Sequence, residues 1–503
     1  MNRICLFAFA ALAVQTYAQN TEKEIVEFRT QSARAVGTFA PKGEWVFRGT
    51  QTIHGTQQPF MLSIDTSFRY LAKSNGTMPE TLGFDGKSTW AMNGAGLPHV
   101  VSFSDRDLAR LDMYVLSGLW AAKNSPVEIT SVKGDTCEIK CVDGSTKATL
   151  TLDHTTRLPA SLAYWGPQGT QKWVYSKFSK QNGLKIPTVI QRDSGDSHEK
   201  ILIASSTFST VPNSNYQIPK VDTSGFSYDA AISPDIEVKR IFGYLFVKPL
   251  INGKDEGWFF LDTGAEVMVL DPEIAKKNNA KTVGKEVVSG VVGSVTTDFV
   301  EGIEFQLGPA TIRKSSYMLL DMTEFSKVLG VKLAGICGFD FIGRVSMDID
   351  PAKATIGVHP SGKASLPKDA AWTQFLYHGN IPAITCMFEG DRQGVFSLDT
   401  GSGSTVDFFS PTVTKYELLK DRKVTSVQTG GAGGSAESKV GIMEWFTFGP
   451  KKFEKPRVGF QIADKGAFAS PYADGNIGMG FMGKFRMILD YENSRLAFIE
   501  KAQ

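Results

Sequence analysis

GKDEGWFFLDTG at 253–264 and GDRQGVFSLDTG at 390–401 are two versions of one phrase. Aligned without gaps, they share both outer glycines, Gly257/Gly394, Phe259/Phe396, Leu261/Leu398, Asp262/Asp399 and Thr263/Thr400. Outward from this phrase a second block repeats: GICGFDFIGRVSMDID at 335–350 against GNIGMGFMGKFRMILD at 475–490, identical at six of 16 positions. Between the two blocks lie the glycine-rich segments 290–294 (GVVGS) and 431–435 (GAGGS). The offsets are 137, 141 and 140 residues. Three blocks recurring in order at nearly constant spacing mark an internal duplication.

Each copy opens on a hairpin signal. Tyr244 to Ile251 runs into Asn252-Gly253, and Gly257 to Leu261 returns as an apolar strand. That strand stops at Asp-Thr-Gly. A carboxylate placed directly after Phe260-Leu261 is pushed toward a low-dielectric setting, where its ionised form is costly unless hydrogen-bonded. Gly264 and Gly401 allow a sharp turn and a close backbone approach. One such triplet is weak evidence, since on the order of one chain in ten of this size holds one by chance. Two, embedded in a repeated frame, are strong.

These residues resemble a retropepsin-like or pepsin-like aspartic protease. Phe260 to Ala265, a glycine-rich flap and Ile336 to Ile342 look like one retropepsin subunit; Leu398 to Ser402 with Asn476-Ile477-Gly478 looks like a second. The resemblance spans about 241–501 and implies a fused pair, a monomer with an internal pseudo-dimer. It further implies that Asp262 and Asp399 form the catalytic dyad and that Thr263 and Thr400 cross-brace their loops. Gly264 and Gly401 complete those loops, and Gly290, Gly293, Gly430, Gly431 and Gly433 belong to flaps over a peptide substrate. Three departures stand out. Gly480 takes the place of Asp340, neither flap carries a tyrosine, and Ala265 in copy one faces Ser402 in copy two. Because a hydroxyl after the triplet commonly supports the carboxylate in this family, its loss beside Asp262 should push the dyad's working pH upward.

The preceding 200 residues are strand-rich, with alternating stretches such as 44–48, 148–152 and 172–175 between turn residues. Helical spacing occurs over Asp107 to Trp120. Gly83 to Trp90, Leu152 to Pro159 and Asn182 to Pro187 resemble the turns of exported lipoprotein-carrier (LolA-like) half-barrels. The expected fold is therefore mainly β: a curved antiparallel sheet with one or two helices, then two pseudo-symmetric β-lobes. Its parts are a signal peptide (1–18), a LolA-like sheet (19–220), a linker (221–240), lobe one (241–358), a linker (359–371) and lobe two (372–503). The sheet reads either as an accessory domain or as a groove for a lipid or other hydrophobic ligand. A third reading makes it a prosegment that is removed by cutting the polar linker.

Composition narrows the partners. Lys+Arg 54 against Asp+Glu 52 gives +2, or +1 once Arg3 leaves with the signal, so no basic bias points to nucleic acid. Arg3, the apolar run from Ile4 to Val14 and Thr16-Tyr17-Ala18 form a secretory signal too short to span a bilayer, which places the protein in the periplasm or outside the cell. Cys137 and Cys141 lie roughly 13 Å apart along one strand at about 3.3 Å per residue, too far for a bridge, and all four mature cysteines read as buried thiols. The six histidines show no metal-ligand spacing, and the sequence calls for no metal or cofactor. The expected activity is that of an exported aspartic-type endopeptidase. The rival is a non-catalytic lipid- or peptide-binding carrier built on a protease-like scaffold.

Overall fold

The computed structural model describes residues 22–499, except 54, 167–168, 195–196, 291–293, 369 and 432–433. The expected signal peptide, residues 1–18, lies outside them. The chain is mainly β, as its alternating patterns predict.

Thirteen antiparallel strands between Glu44 and Ser209 form one curled sheet. The chain meanders to one edge at Pro98–Val100 and resumes at the other with Val127–Lys133. It then meanders back until Ser197–Ser209 pairs with Glu44–Ile53. Strand Lys147–Leu152 shows the logic locally: Ala148, Leu150 and Leu152 are buried while Lys147 and Thr149 are exposed. The buried face packs on the helix Phe103–Leu116, whose Leu111, Tyr114 and Val115 join Trp45, Phe47, Leu62 and Ile139 in one core. Each fully buried ring or branched chain contributes about 1.5–3 kcal/mol. A further helix, 22–36, lays Phe28 and Val36 on the same core. Cys137, Cys141, Cys337 and Cys386 are buried free thiols.

Downstream, one strand order occurs twice. In the first copy it runs Tyr244–Val247, Trp258–Leu261, Leu333–Cys337, Met268–Leu270, Tyr317–Leu319, Ser294–Glu301, Lys281–Ser289. In the second it runs Ile381–Phe388, Arg392–Leu398, Gly475–Ile477, Val406–Phe408, Arg457–Gln461, Gly434–Ile442, Val424–Gly431. In both, the strand ending at the Asp-Thr-Gly turn runs parallel to a strand from the second repeated block. Asn252-Gly253 forms the hairpin turn, both residues at positive φ (49° and 75°), as a type I′ turn requires. A six-stranded sheet joins the copies, with Val345–Asp350 antiparallel to Arg486–Asp490.

The polar linker segment 221–240 supplies edge strands. Phe226–Tyr228 pairs with Ala310–Ile312, Asp235–Glu237 with Thr355–Pro360, and Lys239–Ile241 with Tyr244–Val247. The curled-sheet unit docks on both copies. Leu97 enters their common core, and His99 packs on the Phe339 ring of the first copy and the Tyr377 ring of the second. Asn93 Nδ2 donates to Asp340 Oδ1 at 2.7 Å, and Tyr472 Oη of the second copy donates to Trp165 O at 3.1 Å.

Candidate active site

Asp262 and Asp399 each follow the last residue of an apolar central strand, so the two sheets deliver their carboxyls to one place. The loops lock reciprocally. Thr263 N donates to Thr400 Oγ1 and Thr400 N to Thr263 Oγ1, both at 3.0 Å. The same hydroxyls donate onward, Thr263 Oγ1 to Leu398 O and Thr400 Oγ1 to Leu261 O, both at 2.7 Å. Three groups on each side, a backbone N–H, a hydroxyl and a carbonyl, are thus satisfied by the opposite copy, and neither loop can shift without orphaning donors in the other.

The glycines answer to proximity rather than to turning, for neither Gly264 nor Gly401 has a positive φ. A Cβ on Gly264 would lie 2.7 Å from Asp399 Cγ, and one on Gly401 would lie 2.5 Å from Asp262 Cγ. Each glycine is the gap through which the opposite aspartate approaches. The expected turn is present, closed by Ala265 N donating to Asp262 O at 3.3 Å and Ser402 N to Asp399 O at 3.2 Å, and so is the expected close approach; only the approach demands glycine.

Within the pair, Gly264 N donates to Asp262 Oδ1 at 2.8 Å, and Asn476 Nδ2 donates to Asp399 Oδ2 at 2.9 Å. Asp399 Oδ1 is sealed from solvent and receives no donor from the described residues, while the Asp262 carboxyl lies within hydrogen-bonding reach. Burial, and then the Asp399 charge, hold Asp262 well above the usual carboxylate range. Burial raises Asp399 as well, against the Asn476 amide, the Asp262 carboxyl and, more weakly, the nearby Gly401 and Ser402 backbone. Two ionised carboxylates would face oxygen to oxygen in a low dielectric, so a single shared proton is the favoured state. Both residues are half-buried: set deep among protein atoms yet not closed off.

The other sequence candidates fall as follows. Gly290 sits at the tip of the hairpin Lys281–Ser289/Ser294–Glu301, and its carbonyl accepts from Ala467 N of the second copy at 3.1 Å. Gly430 and Gly431 close the hairpin Val424–Gly431/Gly434–Ile442 opposite Ser435 and Gly434. Gly293 and Gly433 lie outside the described residues. Ser402, expected to support the carboxylate of Asp399 through its hydroxyl, turns that hydroxyl to Ser404 Oγ at 2.8 Å. The side-chain donor is instead Asn476, which the sequence reading passed over. Setting Gly335-Ile336 against Gly475-Asn476 would have exposed it, because an amide there replaces an aliphatic residue. Two surface hollows, one beside Trp165 and Lys415, the other beside Asp271 and Lys277, are not lined by either aspartate.

Residues 247–341 match the family model described as Aspartyl protease, a span holding Asp262, Thr263, Gly264 and the block through Phe341. The first copy is thus aspartyl-protease-like. No curated protein matches the chain. Among solved structures, an aspartic proteinase from Irpex lacteus aligns over 53% of this chain and 97% of its own, with 14% identity and a TM-score of 0.35.

Proposed function

We propose that the chain is an exported, periplasmic or extracellular, aspartic-type endopeptidase, its two lobes supplying one aspartate each. One observation carries the reading: the reciprocal Thr263–Thr400 brace, which presents Asp262 and Asp399 as a proton-sharing pair. Such a pair hydrolyses an amide without a covalent intermediate. The ionised carboxylate takes a proton from a water lying between the two groups, and the water oxygen bonds to the carbonyl carbon. The protonated carboxyl gives its proton to the carbonyl oxygen, forming a gem-diol. The first carboxyl then passes its proton to the amide nitrogen, the C–N bond breaks, and the second recovers a proton from the gem-diol. The flap hairpins, the internal pseudo-dimer and a peptide substrate belong to this reading. The curled sheet is read with it as a LolA-like accessory domain, open to a lipid or other hydrophobic ligand.

The test is cleavage of an unfolded protein by the purified chain from acid to neutral pH. Asp262→Asn and Asp399→Asn should each lower the rate on the order of 10⁴-fold or more, and the double variant should be little worse, because residues acting as one unit are non-additive. Cleavage that survives either substitution sinks the proposal. A wild-type chain inert across the whole range would favour the carrier reading.

A further inference from the structure

Asp262 and Asp399 are mirrored, but what stands behind them is not. In the first copy, Val269 lies opposite Ile336 in the antiparallel register. At the corresponding register of the second copy, Asp407 lies opposite Asn476. The substitution extends backward. Gln461 Nε2 donates to Asp407 Oδ1 at 2.9 Å, and Ser438 Oγ donates to Gln461 Oε1. The counterpart of Gln461, by pairing of Asp407 with Gly459 and of Val269 with Met318, is Leu320. Ser438, Gln461, Asp407 and Asn476 are all buried, at 1%, 1%, 7% and 7% exposure. Ser438, Gln461 and Asp407 thus form a hydrogen-bonded polar file beside Asn476, where the first copy has Leu320, Val269 and Ile336 at the positions of Gln461, Asp407 and Asn476.

The geometry points to Asn476 as a positioning residue that makes Asp399 the ionised partner of the pair and leaves the shared proton on Asp262. A buried amide donor stabilises the anion it touches by more than the neutral acid. Ile336 gives Asp262 no such side-chain donor. Asp399 is then the base that takes the proton from water, and Asp262 the acid that protonates the carbonyl oxygen. The Asp399 carboxyl itself fixes which way the amide faces, since turning the Asn476 oxygen toward it would set acceptor against acceptor. The titratable groups facing the pair from the elements packed on it do not supply this bias. Asp407 on the adjacent strand, itself raised by burial, adds negative charge on the Asp399 side and opposes it. Tyr244, whose hydroxyl stands beside Gly403, and Cys337 and Tyr491 on the Asp262 side are all raised by burial and neutral.

This inference rests on Asp262 and Asp399 acting as a pair, and the experiment separates the two claims. The full chain, labelled with ¹³C at aspartate carboxyls, is titrated by NMR, with Asp262 and Asp399 assigned by signal loss in the Asn variants. In Asn476→Leu the lower of the two coupled steps should rise by about one pH unit, the scale of a lost hydrogen bond to a charged group. The acid limb of kcat/KM should rise with it. In Ile336→Asn, which places a donor beside Asp262 and serves if Asn476→Leu fails to fold, the upper step should fall. A folded Asn476→Leu whose lower step stays put overturns the inference, even if activity drops, since a merely structural role would move no titration. If the steps shift but wild type cleaves no peptide, the endopeptidase reading fails and the positioning role stands.

Discussion

The two copies of the repeated frame agree where they must touch and differ where each faces its own surroundings. Asp340 of the first copy is buried, with Ser315 Oγ donating to one carboxyl oxygen and Asn93 Nδ2 of the curled sheet to the other. Its counterpart Gly480 has no room for a side chain, because a Cβ would fall 2.7 Å from Ser404 O. The first copy's hairpin 281–301 also leans on the curled sheet, where a Cβ on Gly284 would meet Thr77 Oγ1 at 1.9 Å. Asp-Thr-Gly and the leucine before it, by contrast, are shared, and these are the residues whose contacts cross between the copies. The comparison teaches that a duplicated site keeps identical what is reciprocal and lets drift what is local.

Substitutions at reciprocal positions should therefore do equal damage in either copy. Gly264→Ala and Gly401→Ala each push a methyl into the opposite carboxyl. Peptide cleavage should fall about 100-fold in both, the scale of an ångström's misplacement, and a tenfold gap between the two would break the symmetry argument. Thr263→Val and Thr400→Val strip two buried backbone partners apiece. Each should cost about 3 kcal/mol in urea denaturation, with the two values within about 1 kcal/mol of one another.

Local positions should show no such match. The Asp340 carboxyl is pushed up to about 6 by burial, against Ser315, Arg344 and Asn93. A raised carboxyl binds a proton more tightly when folded. Its contribution is thus fullest below the unfolded value of about 4 and is lost as pH rises to about 6, about 3 kcal/mol in all. Asp340→Asn should flatten the stability curve between pH 4 and 6 relative to wild type, measured by denaturation at each pH; an unchanged slope would remove Asp340 as its source. The smallest effect belongs to Ser402→Ala. Its hydroxyl serves Ser404 and not Asp399, so cleavage should stay within about twofold and stability within about 0.5 kcal/mol. A large loss there would restore the family's hydroxyl rule to this chain.

What the sequence revealed follows from where the information sits. The repeat and the Asn252-Gly253 turn are written in glycines and aspartates whose backbone demands are local, so they could be read without coordinates. The helix 22–36 was missed: its inward residues include Ser32 and Ala33 beside Phe28 and Val36, a stripe too thin for periodicity to register. The strands within 221–240 are three residues each and exist because neighbouring sheets offer open edges, which no propensity encodes. Asn476 stands within a motif in the sequence, but its meaning as a donor depends on the carboxyl it faces in the folded pair.

The sheet joining the two copies sets a clock on synthesis. Ser346 pairs with Asp490, and Ile349 with Met487, so the inner edge of the first copy has no partner until about 140 further residues have been made. At about 5–20 residues per second, that edge stays bare for about 7–30 s on the ribosome. During that interval the first copy is a half-molecule with an open strand whose complement is the corresponding strand of the second copy. Neighbouring nascent chains on one message carry the same open strand at the same moment. Dimers formed by first copies alone, with second copies left over, are the assembly error this arrangement invites.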